Sequence, residues 1–329
     1  MRHTDAVPDR PDPDAAVDDI LGPPYTAETI DFAEDEEGPV VTTLVRRRAD
    51  QPTRKAVLYV HGFNDYFFNK EYAEWWVGRG YDFYAIDLRR YGRSLREHQT
   101  PNFVTDVREY FDDIDAVWGR ITERDGHDHV VATAHSTGGL TLSLWADEGA
   151  PSLAGVALNS PWLDMRGPVW LRTAGTTVVR RIGSRQPMRE IPREISTVYG
   201  ESLHRDYAGE WDYDLALKTL ESWPVYAGWL RAIRDAHAEV HRGLEILCPV
   251  LVLSSGATVD ARELSDEVHA NDIVLDVAQI RRWSTSLGRH VTYVAVDGAI
   301  HDVFLSRPEA RARAYDEMGR WLTAYVDRD

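Results

Sequence analysis

The chain has 329 residues, which is enough for one large α/β domain with an insertion or for two small domains. It carries 37 lysine and arginine residues against 54 aspartate and glutamate residues. The resulting formal net charge of −17 repels nucleic acid and anionic membrane surfaces, so neither is expected as a partner.

The N-terminal segment, the apolar runs and the cysteine content bear on the cellular compartment. Residues 1–20 are rich in Asp and Pro and have no apolar stretch of the kind found in a secretory signal, so we expect a flexible N-terminal arm. No apolar run approaches the roughly 20 residues needed to cross a bilayer. The single cysteine, Cys248, excludes an intrachain disulfide and fits a reducing compartment. These features predict a cytoplasmic protein without stable membrane insertion.

Extended segments begin the folded part of the chain. Glu28–Glu34 and Val40–Arg47 flank a turn-prone segment at 35–38, which predicts an antiparallel hairpin. Six short apolar runs follow: Ala56–Val60, Phe83–Ile86, Val130–Ala134, Ala154–Leu158, Val250–Leu253 and Val291–Val296. Their apolar residues are continuous rather than alternating, as in strands of a parallel sheet that are buried on both faces.

Helical periodicity separates several of these runs. The segments with apolar residues at steps of three and four are Phe103–Arg124, Thr137–Trp145, Val277–Leu287 and Ala310–Val326. Strands alternating with helices predict an α/β fold with a doubly wound, mostly parallel sheet and right-handed crossovers.

The alternation stops between Trp162 and Gly243, where no segment has the pattern of a strand. Leu215–Leu220 and Tyr226–Glu239 look helical. We therefore expect a core made of residues 21–161 and 244–329, interrupted by a helical cap at 162–243.

One stretch of small residues has the pattern of a reactive site. The run VATAHSTGG at 131–139 follows a predicted strand and opens a predicted helix, with Ser136 at the junction. Such an elbow exposes a serine hydroxyl at the carboxyl edge of the sheet and requires small residues two before and two after it. Ala134 and Gly138 occupy these positions, so the usual G-x-S-x-G pattern is changed by one methyl group. An ordinary strand-to-helix turn has a similar composition.

A second strand end supplies a candidate oxyanion hole. The strand at Ala56–Val60 runs into His61-Gly62-Phe63. A backbone N–H at such a strand end can point into the site, so Phe63 and Thr137 are the predicted donors. A plain loop with His61 packed beneath it is the alternative interpretation.

Candidates for the base and the acid lie in the loops after the last two predicted strands. His301 follows Val291–Val296 and a loop relaxed by Gly298, which lets its imidazole reach the serine. The candidate acids after Val250–Leu253 are Asp260, Glu263, Asp266, Glu267, Asp272 and Asp276. Asp276 suits a helix N-cap, which leaves Asp272 as the first choice and Asp260 as the second.

These segments together resemble the α/β-hydrolase superfamily. The match is carried by HGF at 61–63, AHSTGG at 134–139 and GAIHD at 298–302. It is most similar to the branch of monoacylglycerol lipases, lysophospholipases and serine aminopeptidase-like hydrolases. DLRRYGRS at 87–94 is similar to that branch's D-x-R-G-x-G-x-S loop, and NSPW at 159–162 resembles its segment leading into the cap.

The resemblance implies Ser136 as nucleophile, Asp272 as acid, His301 as general base and a lid between Trp162 and Gly243. Three features depart from the family pattern: Ala134 replaces a glycine, Arg90 stands where glycine is usual, and the acid-bearing loop is long.

A serine ester hydrolase acting on small acyl or lipid-like esters is therefore the leading hypothesis, and the Trp-rich insertion favours an apolar or neutral substrate. Amide or C–C bond hydrolysis with the same triad is one alternative, and a non-catalytic binding protein is the other. Acidic residues that could hold a substrate ammonium are Glu190, Glu194, Glu201 and Glu210, although solvated helix faces also account for them. The histidine spacing predicts no metal site, and no glycine-rich phosphate loop suggests a cofactor.

Overall fold

The computed structural model describes residues 16–149, 152–167, 175–193 and 196–327. These residues form a nine-stranded sheet in the order β1-β2-β3-β5-β4-β6-β7-β8-β9. The strands are β1 (Val17–Asp18), β2 (Thr26–Asp35), β3 (Gly38–Arg47), β4 (Lys55–Val60), β5 (Asp82–Asp87), β6 (His129–His135), β7 (Leu153–Asn159), β8 (Val250–Ser255) and β9 (Val291–Val296).

The predicted hairpin and parallel sheet are confirmed. Strands β2 and β3 pair antiparallel, and β3 pairs antiparallel with β5. Strands β4 to β9 are mutually parallel. After β4 the chain passes to β5 on one side and then returns to β6 on the other. The carboxyl ends of β4 and β6 are therefore at the switch point where open α/β sheets form their ligand crevice.

Both faces of the sheet are covered by helices. Within the described residues these are α1 (Lys70–Val77), α2 (Glu109–Gly119), α3 (Thr137–Asp147), α4 (Thr176–Arg185), α5 (Val198–Leu203), α6 (Ala227–Arg242), α7 (Val277–Ser284) and α8 (Pro308–Trp321). In β4, Ala56, Leu58 and Val60 pack in the cluster with α2 and α3, whereas Val57 packs in the cluster with α1 and α8. This two-sided burial explains why the strands read as continuous apolar runs.

Some local expectations differ from the structure. The helix expected at Leu215–Leu220 is wrong, because this segment forms turns that begin at Asp214. The prediction at Tyr226–Glu239 is confirmed as α6. Helices α1, α4 and α5 have no counterpart among the predicted helices.

The predicted N-terminal arm lies only partly within the described residues. Residues 1–15 are outside them, whereas Val17–Asp18 form the edge strand β1. The buried Asp19 carboxylate accepts two hydrogen bonds from Arg93, at 2.7 and 2.8 Å. The last residues of the predicted arm are therefore fixed to the core.

The insertion runs between β7 and β8 and contains α4, α5 and α6. Helices α4 and α6 pack on each other, and Arg180 Nε lies 2.6 Å from Asp235 Oδ1 between them. The insertion therefore carries its own helix-to-helix contacts above the carboxyl edge of the sheet.

Candidate active site

Ser136 stands at the sharp turn between β6 and α3. Its backbone has φ 53° and ψ −117°, a conformation that non-glycine residues rarely adopt. A Cβ on Gly138 would lie 2.2 Å from the carbonyl oxygen of His61, so only glycine fits there. Ala134 is buried in the core, where its extra methyl group is accommodated. The local sequence thus fits a strained elbow that presents a hydroxyl.

A continuous hydrogen-bonded chain begins at this hydroxyl. Ser136 Oγ lies 2.9 Å from His301 Nε2, and His301 Nδ1 lies 2.8 Å from Asp272 Oδ2. All three side chains are buried. The arrangement fits an imidazole that donates its Nδ1 proton to the carboxylate and accepts the serine proton at Nε2.

The Asp272 carboxylate is held by its own loop. Its Oδ1 accepts hydrogen bonds from the backbone N–H groups of Val274 and Leu275, both at 2.7 Å. An isolated bridge between Thr258 and Asp272 returns the long loop to the end of β8. One carboxylate oxygen is therefore occupied by the backbone, and the other remains for His301.

The second-choice acid, Asp260, is not at the site. Its side chain is 96 % exposed and pairs with Arg166, 2.5 Å away. It lies in the outward excursion of the loop between the two bridged residues, Thr258 and Asp272. Asp276 caps α7 as expected, because its side chain accepts from the backbone N–H of Ala278.

The predicted oxyanion donors face the same cavity as the serine. Phe63 and Thr137 line it together with Ser136 and His301. Thr137 is the first residue of α3, so its N–H is one of the free donors at a helix start. A Cβ on Gly62 would lie 3.1 Å from the serine Cβ, which shows how closely the loop after β4 approaches Ser136.

Several neighbours of the triad were given no role by the sequence. Asp302 Oδ1 accepts from Asn159 Nδ2 at 2.6 Å, and the Asn159 amide oxygen accepts from the N–H of Val303 at 3.1 Å. Tyr199 of the insertion packs edge-on against the His301 ring and accepts from the Asp302 N–H at 3.3 Å. These contacts fix the loop that carries His301. The sequence offered one sign of these contacts, the carboxylate of Asp302 next to the candidate base. A single neighbouring carboxylate has no distinctive spacing, so it did not indicate a role.

The cavity has a volume of about 440 Å³. Two tryptophans of the insertion, Trp162 and Trp229, form part of its wall, with ring centroids 5.9 Å apart. The lining also includes Asp65, Lys218 and Arg193, so it is more polar than the sequence suggested.

Three of the four candidate ammonium-binding carboxylates lie away from this cavity. Among the residues that the structure describes, none of Glu190, Glu201 and Glu210 lines this cavity. Glu210 pairs with Arg311 at 2.7 Å, and Glu201 accepts from the Thr197 hydroxyl at 2.8 Å. Glu194 lies outside the described residues.

Two kinds of feature are absent from the part of the chain that the structure describes. The described residues contain no group of three His, Cys, Asp or Glu side chains placed to hold a metal ion. None of the described helices combines the length and the apolar character required to span a bilayer.

Two buried histidines make the fold sensitive to acid. Burial lowers the pKa of His135, next to the serine, to about 4. Burial, followed by the charge of Arg234, lowers the pKa of His237 in α6 to about 3. An unfolded histidine titrates near 6.5, so below that pH the unfolded chain binds more protons than the folded one.

Stability should therefore fall as the pH drops from 7 to 5, by about 2 kcal/mol for each of the two imidazoles. Urea unfolding at the two pH values measures this loss. In a His237→Gln variant, the amide can still accept from Arg234 Nη1. The loss of unfolding free energy between pH 7 and 5 should then be smaller by the contribution of one imidazole. An unchanged loss would show that His237 is not the titrating group.

Comparison with protein families decides the class of the molecule. The family model described as Serine aminopeptidase, S33 matches residues 51–307, which is most of the chain. The chain belongs to the S33 serine aminopeptidase family of α/β-hydrolases. The match begins just before β4 and spans the elbow, the acid loop and His301.

Solved structures share the fold of this S33 chain. A monoacylglycerol lipase from Paleococcus ferrophilus is similar with a TM-score of 0.61 and 22 % identity, over 85 % of this chain and 98 % of that one. A soluble variant of the Saccharomyces cerevisiae monoglyceride lipase has a TM-score of 0.64 and 14 % identity, over 91 % and 96 %. Est1E from Butyrivibrio proteoclasticus, with ferulic acid bound, has a TM-score of 0.55 and 15 % identity, over 88 % and 98 %. No curated protein matches the chain in sequence.

Proposed function

We propose that this S33 chain is a serine hydrolase that cleaves carboxylic esters through an acyl-enzyme intermediate. The observation that carries the proposal is the hydrogen-bonded chain from Ser136 through His301 to Asp272, with distances of 2.9 and 2.8 Å, at the wall of a cavity of about 440 Å³. This arrangement supports the proposal because the reaction requires a nucleophile, an oriented base and space for a substrate close to one another.

The chemistry follows from these positions. Ser136 attacks the ester carbonyl while His301 takes its proton and then donates it to the leaving alkoxide. Asp272 keeps the imidazole in the required tautomer and stabilises the imidazolium. The N–H groups of Phe63 and Thr137 stabilise the oxyanion, worth about 3–4 kcal/mol of barrier for each donor. Water activated by His301 then releases the acid.

The substrate class is a small acyl or lipid-like ester without a large net charge. The indole walls of Trp162 and Trp229 favour apolar groups. The charges of Asp65 and Lys218 offset each other, and the Arg193 guanidinium, which also lines the cavity, donates to the carbonyls of Ser222 and Trp223. Two of the structurally similar proteins are named as monoacylglycerol or monoglyceride lipases, which is in keeping with such a substrate.

The insertion at 162–243 acts as a cap on the core formed by 21–161 and 244–329. Its residues supply one side of the cavity, among them Trp162, Lys218, Leu220 and Trp229. The cap therefore contributes to substrate selection as well as to burial of the site. Together with the net charge of −17 and the single cysteine, these features fit a cytoplasmic enzyme acting on small molecules rather than on nucleic acid.

Initial rates on p-nitrophenyl esters of two to sixteen carbons, beside p-nitroanilides of the same acids, test the proposal. We expect turnover of the esters, with an optimum at the acyl length that fills the cavity, and rates on the anilides at least about a thousandfold lower, because the leaving group of an amide needs protonation before departure. Faster cleavage of the anilides would favour the amide alternative.

A non-catalytic binding role remains the alternative from another class. It is favoured if the intact protein binds a fatty acid or an ester in calorimetry and yet turns over none of the esters or anilides. Buried Glu or Asp side chains facing the cavity beyond Asp65 are not found among the described residues that line it, which disfavours recognition of a substrate ammonium.

A further inference from the structure

A buried ion pair joins the insertion to the loop that carries the proposed oxyanion donor. Lys218 Nζ lies 2.6 Å from Asp65 Oδ1, and both side chains are at least nine-tenths buried. Asp65 Oδ2 accepts the N–H of Gly62 at 3.3 Å. The ammonium also lies over the rings of Phe68 and Tyr213, 5.6 and 5.9 Å from their centroids, so its position is fixed from several sides.

The two residues before Asp65 contact the insertion as well. The Asn64 amide donates to the carbonyl of Thr219 at 2.9 Å and accepts from the Thr219 hydroxyl at 3.0 Å. The Phe63 ring packs on Trp229 of α6, with centroids 4.6 Å apart. Asn64 has φ 50°, in the left-handed region, so its conformation depends on such contacts.

We infer that Lys218, through Asp65, positions the Phe63 N–H, so that the oxyanion hole is complete only when the turn at 214–219 of the insertion is seated on the core. This inference rests on the proposed function. Phe63 lies between Gly62, whose N–H is held by Asp65, and Asn64, whose side chain is held by Thr219. Restraining both neighbours limits rotation of the Gly62–Phe63 peptide, which carries the Phe63 N–H, and so limits the direction of the donor.

The electrostatics favour a permanent charge pair at this point. Burial alone would raise the pKa of Asp65, but the Lys218 ammonium, followed by the imidazoles of His135 and His61, outweighs burial and lowers the pKa below its usual value. The carboxylate is therefore ionised while it holds the Gly62 N–H. The short contact of the pair is the charge-assisted one between Lys218 and Asp65, at 2.6 Å, and it fixes the carboxylate. The Gly62 N–H then meets that fixed carboxylate through a longer contact of 3.3 Å.

The pair touches the cavity wall, so a direct contact with substrate is the competing interpretation. A substrate contact acts on the bound ester before reaction, whereas a positioning contact acts on the oxyanion that exists only in the transition state. The two roles therefore differ in which kinetic quantity they change.

Three variants test the inference. Lys218→Met removes the ammonium and keeps an unbranched side chain of similar length. Lys218→Met/Asp65→Asn removes both charges, so that no carboxylate is left buried without a partner and the fold is retained if the single variant is unstable. Arg180→Met is the matched control, because it removes a cation of the insertion that pairs with Asp235 away from the loop.

Each protein is assayed with its best p-nitrophenyl ester and with two inhibitors of the same carbon skeleton. A trifluoromethyl ketone adds to the serine and places an oxyanion in the hole, whereas the corresponding alcohol fills the cavity without forming one. We expect Lys218→Met to lower kcat and weaken ketone inhibition together by about tenfold to a hundredfold, less than loss of a whole donor. KM and the alcohol affinity should stay within about twofold of wild type, because they report ground-state binding. The double variant should be no slower than Lys218→Met, since both changes break one contact.

A kcat within twofold of wild type in a folded Lys218→Met or double variant would overturn the inference. So would a change confined to KM and alcohol affinity, which would make Lys218 a substrate contact, or an equal loss in Arg180→Met. If wild type neither turns over the ester nor binds the ketone, the proposed function itself fails and the positioning role fails with it. Turnover by wild type with unaffected variants rejects the positioning role alone.

Discussion

Replacing Ser136 by alanine should abolish ester hydrolysis, with kcat/KM falling by about 10⁴-fold or more. The hydroxyl is the only group removed, and its oxygen is hydrogen-bonded to His301 Nε2. Without it, His301 can at most activate water, and that water lacks the fixed position of the serine. The strained turn is kept by backbone contacts, including the Ser136 N–H to Asn159 carbonyl bond at 3.0 Å, so the fold should remain intact.

Rates on the preferred p-nitrophenyl ester and thermal unfolding of the same samples measure both expectations. Ser143→Ala is the matched control, because Ser143 is buried in α3, the helix that follows Ser136, and its hydroxyl donates to the Gly139 carbonyl at 2.6 Å. A fluorophosphonate probe should add one adduct mass to wild type and to Ser143→Ala but none to Ser136→Ala. Retained turnover or labelling in Ser136→Ala would place the nucleophile elsewhere.

The parallel part of the sheet was predictable because each of its strands is marked by its own residues. Burial on both faces forces runs such as Ala56–Val60 and Val250–Leu253 to be apolar throughout, and these segments appear as β4 and β8 with only small changes at their ends. The elbow was predictable for a similar reason. The serine lies on a strained turn, and the backbone after β4 passes so close to Gly138 that a side chain there would collide with it. Few residue types are therefore possible at 134–139.

The turns of the insertion were not predictable from periodicity. Leu215–Leu220 has apolar residues at helical spacing, but six residues are too few to form a helix without support. The backbone N–H groups of Leu217 and Lys218 instead both bond to the Asp214 carbonyl. This places the Lys218 side chain against Asp65, 153 residues earlier in the chain. No local sequence pattern predicts a contact between residues so far apart along the chain.

The acid was the hardest residue of the site to choose from the sequence. Distance along the chain from β8 favoured Asp260, whereas assigning Asp276 to the cap of α7 left Asp272 as the first choice. The bridge between Thr258 and Asp272 explains the outcome, because the residues between them leave the sheet edge and return to it. In space, Asp272 therefore lies where the loop begins, although it is near the end of that loop in sequence.

Changing Asp272 to asparagine should lower kcat by about 10⁴-fold with little change in KM. The backbone N–H groups of Val274 and Leu275 both point at Oδ1, so the amide oxygen of the asparagine should take that position. Its NH₂ group then faces His301 Nδ1 as a donor. This selects the tautomer with the proton on Nε2, which cannot accept the Ser136 proton, and it removes the charge that stabilises the imidazolium.

Asp260→Asn is the matched control, since it makes the same chemical change in the same loop on a side chain that is 96 % exposed. Its kcat should stay within about twofold of wild type, because a surface charge pair contributes little. Both variants should unfold near the wild-type temperature, as the bonds to Oδ1 are kept in Asp272→Asn. An equal loss of kcat in the two variants would contradict the assignment, because the buried carboxylate would then have no advantage over the exposed one. A loss only in Asp272→Asn would tie the rate to the one acid whose free oxygen reaches the imidazole.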